Sequence, residues 1–198
     1  MKYWTADSFL ADFESICEAH RESGAALLFA FLLYDFKDAS LIKVLRDPDY
    51  WASLDSTSGD SVSVFALHSP NLEEAYPDLE MRKEIDEFLT LHFGDSGMRS
   101  GGSLLFFQVN DGAVIDQFRV TLRSTTVEQV FLEMKDILDV VGDSVSQVTE
   151  SNRGNAQEIF NLAAGRLSNR EFVLTAGQVF RTAMSVTKLG KLIASIWA

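Results

Sequence analysis

Apolar positions change their spacing several times along the first third of the chain. Phe9, Leu10, Phe13, Ile16 and Cys17 recur at helical spacing behind the polar Thr5, and Gly24 closes the run, which predicts an amphipathic helix over residues 6–22. Residues 25–34 are apolar throughout, the pattern of a strand covered on both faces at the centre of a parallel or mixed sheet. Asp35 and Asp38 offer N-cap oxygens to a helix through Leu41, Ile42, Val44 and Leu45, which Pro48 must kink or restart after Asp47. The helical register then resumes through Tyr50, Trp51 and Leu54. After a turn at 56–60, Val62, Val64 and Ala66 alternate with Ser63 and Phe65 in a second strand over 61–67. Strand, crossover helix and strand together predict a parallel βαβ unit.

Residues 69–77 are polar and punctuated by proline. Ile85, Phe88, Leu89 and His92 follow on one helical face, and residues 94–102 form a glycine-rich loop. A third strand is predicted over 104–109. Asn110, Asp111 and Gly112 form the strongest hairpin signal in the chain, and a fourth strand runs over 114–122. There Phe118, Val120 and Leu122 alternate with Gln117, Arg119 and Thr121, which predicts one wet face and an edge position. A capping box at Thr125 and Glu128 starts a helix with Val127, Val130, Phe131, Met134, Leu138 and Val141 on one side.

Composition narrows the classes of function. With 198 residues, 46% hydrophobic and 23% charged, and with 15 Phe, 4 Tyr and 3 Trp, the chain is long and apolar enough to build a core. A net charge of −12 repels polyanions, so nucleic acid is not an expected partner. The single cysteine, Cys17, excludes an intrachain disulfide, a CxxC pair and a cysteine-based zinc site. It fits a reducing, cytoplasmic compartment, and its place on an apolar stripe makes it a packed thiol. Asp7, Asp12 and Glu14 stand where a signal peptide carries its basic start and apolar core, and no apolar run reaches the roughly 20 residues that span a bilayer.

The order of helix, βαβ unit, helix, ββ hairpin and helix predicts an α/β chain with one mixed four-stranded sheet, and over residues 25–142 it resembles the thioredoxin-like fold. The segment Gly-Gly-Ser-Leu-Leu-Phe-Phe-Gln-Val-Asn-Asp-Gly at 101–112 is similar to the stretch in thioredoxins where Pro-Thr precedes an apolar strand and an Asn-Gly turn. The family's Trp-Cys-x-x-Cys, however, is replaced by Tyr34, Asp35, Phe36, Lys37, Asp38 and Ala39, and its cis-proline falls at Gly102 or Ser103. With neither sulfur present, disulfide exchange has no nucleophile. The resemblance therefore implies a redox-inactive protein that binds other proteins, with Tyr34, Asp35, Phe36, Asp38, Gly101 and Gly102 as a degenerate active-site edge. The layout of a thioredoxin-like domain followed by helices also resembles glutathione transferases. That alternative makes the chain an enzyme without cysteine chemistry, Tyr34 being nearest to the residue that activates glutathione.

Other motifs carry less. His20, His68 and His92 lack the spacing that converges on a metal, and neither a metal nor a cofactor is expected. Gly94-Asp95-Ser96-Gly97 is similar to a serine-protease segment without its His and Asp context. The glycines at 94, 97, 101 and 102 lack the Lys-Ser/Thr of a phosphate loop and lead into a strand. The acidic pairs Asp35 with Asp38, Asp47 with Asp49, and Glu73 with Glu74 stand at helix starts, where capping accounts for them.

The end of the chain differs in character. Residues 143–198 hold six basic and four acidic side chains, a net of +2 against −14 in the 142 residues before them. A polar linker over 143–155 and a helical segment over 156–198 are expected, with capping boxes at Asn155 with Glu158 and at Ser168 with Glu171. Beyond these, Phe172, Val179, Phe180, Met184, Leu189, Ile193, Ile196 and Trp197 fall within broad apolar stripes at helical spacing. Such a helix either docks on its own domain or serves a protein partner or a second copy. With three basic residues, a lipid surface is the least favoured occupant.

Overall fold

The computed structural model describes residues 17, 19–20, 23, 26–35, 38–59, 61–66, 102–110, 113–148, 150–168 and 174–176. They form an α/β fold built on one mixed sheet. Strand β1 (Leu28–Leu33) is followed by helices α1 (Ala39–Arg46) and α2 (Pro48–Ser58), then by β2 (Val62–Ala66). Next come β3 (Ser103–Asn110), β4 (Ala113–Thr121), α3 (Val127–Ser146), a 3-10 turn at Glu150–Asn152, α4 (Ala156–Ser168) and β5 (Leu174–Ala176). The sheet order is β2-β1-β3-β4-β5. Strands β1 and β2 are parallel, as the βαβ reading requires, and every other pair is antiparallel.

Alternation sorts the strands into two faces. Ala30, Val64, Phe106 and Phe118 share the first, being paired across the ladder. The described helices α1–α4 form one layer on it. Leu41 of α1 meets Gly102, Phe160 of α4 stacks edge-on against Phe118 at 5.0 Å, and α3 packs against α1, α2 and α4. Phe29, Phe31, Phe65 and Phe107 share the second face. The Phe31 and Phe107 rings are stacked at 4.9 Å, and those of Phe29 and Phe107 at 5.8 Å. Pairs of this kind add about 0.5–1.5 kcal/mol each beyond their buried area. Cys17 and His20 are both helical and buried; Cys17 belongs to the same core, and His20 Nδ1 is hydrogen-bonded to the Ser63 hydroxyl at 2.6 Å. Cys17 is fully buried, as its place on an apolar stripe predicts.

Two restarts in the chain follow the expected chemistry. Asp38 Oδ1 accepts from the amides of Ser40 and Leu41, both at 3.0 Å, and starts α1. Asp47 Oδ1 accepts from Asp49 N at 2.9 Å, with Pro48 in the first turn of α2. Asn155 likewise caps α4, accepting from Glu158 N at 3.2 Å.

Several expectations need correction. Strand β4 is not an edge, because β5 pairs with it through Phe118, Arg119 and Val120. Its alternate face is not wet either: Gln117 and Arg119 are buried, since both faces of the sheet are covered. The cap of α3 is Thr126, which accepts from Gln129 N, one residue beyond the expected box. The linker over 143–155 is partly helix: α3 runs to Ser146, and Ser144 is buried with its hydroxyl donating to Val140 O at 2.6 Å. Helix α4 then returns Ile159, Phe160, Ala163 and Leu167 to the same core as the sheet. Ser168 ends α4 instead of starting a helix, and Leu174–Ala176 is extended. The helix expected through Ile85, Phe88, Leu89 and His92 lies outside the described residues, as do His68 and all of the expected 94–102 loop but Gly102.

Candidate functional site

The edge singled out by the sequence lies where β1 ends. Beyond Leu33, Tyr34 is buried, with only 3% of its surface exposed. Asp35 then turns the chain, its carbonyl accepting from Asp38 N at 2.7 Å. The Asp38 carboxylate is occupied by the first amides of α1. Alongside, Gly102 O accepts from Leu122 N at 2.8 Å, which joins the start of β3 to the end of β4. The same end of the sheet thus brings together Tyr34, Asp35, Asp38 and Gly102. Phe36 and Gly101 lie outside the described residues, as do Phe172, Val179, Phe180, Met184, Leu189, Ile193, Ile196 and Trp197.

Three of the four, Gly102, Asp38 and Tyr34, have a structural occupation. A side chain at Gly102 would collide with Leu41 Cδ1 and lie 2.9 Å from Leu122 Cδ1, so the close seat of α1 against the start of β3 relies on position 102 having no Cβ unless these two leucine side chains shift. Asp38 spends its oxygen on helix capping. Burial pushes the Tyr34 phenol well above the usual tyrosine range, opposed by a smaller pull from Arg46. An activating tyrosine needs a hydroxyl that the substrate thiol can reach, and burial works against that.

Sequence reasoning missed the contacts that tie neighbouring loops to this edge. The Ser40 hydroxyl, in the first turn of α1, donates to Thr125 O at 2.6 Å across 85 residues. Glu133 of α3 reaches back to the connection after β4, its carboxylate accepting from Arg123 N at 3.0 Å and Ser124 N at 2.9 Å. Local spacing carries no signal for either, because both partners are backbone atoms of a distant loop. Beside them Arg123, Ser124, Thr125, Gln129, Leu132, Glu133 and Asp136 line an open groove. Leu132 is 59% exposed there.

Among the described residues no three His, Cys, Asp or Glu side chains converge as metal ligands. No described helix is long and apolar enough to cross a membrane. No protein-family model, curated protein or solved structure matches the chain. Its functional reading rests on its own residues.

Proposed function

We propose that this chain is a redox-inactive thioredoxin-like protein, cytoplasmic, that acts by binding another protein or a second copy of itself through its C-terminal apolar stripes. The observation that supports it best is the occupation of the edge after β1. Where a thioredoxin-like protein would keep its sulfurs and substrate clamp, Tyr34 is buried and protonated, Asp38 caps α1, and the surface of Gly102 is taken up by Leu41. The arrangement of a βαβ unit, an antiparallel hairpin beside its first strand and a following helix agrees with the resemblance. The glutathione-transferase reading is the less supported one, because its candidate residue, Tyr34, is buried and offers a substrate thiol little surface to reach.

Binding is tested on the full-length chain with Val179→Glu, Leu189→Glu and Ile193→Glu, separately and together. Co-purifying protein at native levels, mass by light scattering and thermal unfolding are read in parallel. A binding surface predicts loss of the partner, or of the higher mass, with the melting temperature held. A collapsed melting temperature with an unchanged monomer mass places these side chains in the protein's own core and rejects the proposal. Retention on glutathione-agarose, or turnover in a thiol-conjugation assay, rejects it as well.

A further inference from the structure

We draw no further inference here: the strongest candidate, the open groove between the β4–α3 connection and the acidic outer face of α3 around Leu132, carries nothing, because one exposed leucine among carboxylates does not show what covers it.

Discussion

The side-chain amide of Gln108, wholly buried on β3, donates to the main-chain carbonyl of Leu27 at 2.7 Å and lies 3.4 Å from Ala156 O. One nitrogen therefore links the chain entering β1 to the first residue of α4. It lies beside the register shift between Gln108 and Val109, where the regular ladder between β3 and β4 is interrupted. A buried carbonyl without a donor costs about 1–3 kcal/mol. Gln108→Leu, which keeps much of the volume but has no donor, should destabilise the fold by about that much. Urea titration measures it, with an unchanged slope indicating that the folded state stays compact. A loss below about 0.5 kcal/mol, within the range of ordinary surface substitutions, would mean that the bond is dispensable.

Gly102 makes a different demand, for space. A methyl group there would force the Leu41 and Leu122 side chains to shift, and crowding of a packed core costs about 1–3 kcal/mol. Gly102→Ala should lower the melting temperature, and Gly102→Val should lower it more. Leu41→Ala alone opens a cavity and should also destabilise, by about 2–5 kcal/mol. Combining it with Gly102→Ala should then cost less than the sum of the two. Strict additivity in that double-mutant cycle would disprove the steric account.

How far the fold could be read in advance depended on how local its determinants are. The apolar run into β1, the Asp38 and Asp47 caps and the restart at Pro48 are set by neighbours in the chain, and the structure has them where the pattern puts them. The cap of α3 slipped by one residue because Thr125 with Glu128 and Thr126 with Gln129 both fit a capping box, and apolar periodicity does not separate adjacent starts. Gln117 and Arg119 are polar by identity and buried by topology, since the cover of a sheet face comes from distant chain. The strand at Leu174–Ala176 fails for a related reason: three residues with helix-compatible spacing become extended because β4 offers them a free ladder. At the candidate edge, the absence of cysteine from residues 34–39 was legible from residue types alone. The burial of Tyr34 and the contact of Gly102 with Leu41 were not, because they depend on where α1 docks.

The two aspartate caps give a paired test of helix nucleation. Asp38 accepts from two amides at 3.0 Å and leads an eight-residue helix whose Leu41, Val44 and Leu45 are buried. Asp47 makes one comparably short bond and a second at 3.4 Å, and its helix begins with a proline that already favours the right backbone angle. Alanine should cost about 0.5–2 kcal/mol at either site, with Asp38→Ala the more damaging. Asp38→Asn and Asp38→Ser should recover most of the loss, since either side chain can accept from the same amides. Equal damage from alanine and asparagine would show that charge, not the hydrogen bonds, accounts for the effect.

Tyr34 links the candidate edge to pH. Its phenol is protonated in the folded protein well above the ordinary tyrosine value of about 10, whereas the unfolded chain ionises near that value. Between the two values the folded state holds a proton that the unfolded state has released, so stability is full below about pH 10 and falls as pH rises through that window. Unfolding by urea at a series of pH values from 8.5 to 11 (about the range in which free phenols titrate) should show this decline. Tyr34→Phe should flatten it relative to the parent, while Tyr50→Phe, at a half-buried residue stacked on Phe131, serves as the control. The phenolate absorbance should agree, with the contribution of Tyr34, read as the difference between the parent and Tyr34→Phe, appearing only as the protein unfolds. If Tyr34→Phe leaves the alkaline decline unchanged and the Tyr34 phenol ionises in the folded state, the buried hydroxyl is not what sets the pH response. The same result would weaken the argument from burial against Tyr34 as an activating group, and with it the case against the glutathione-transferase reading.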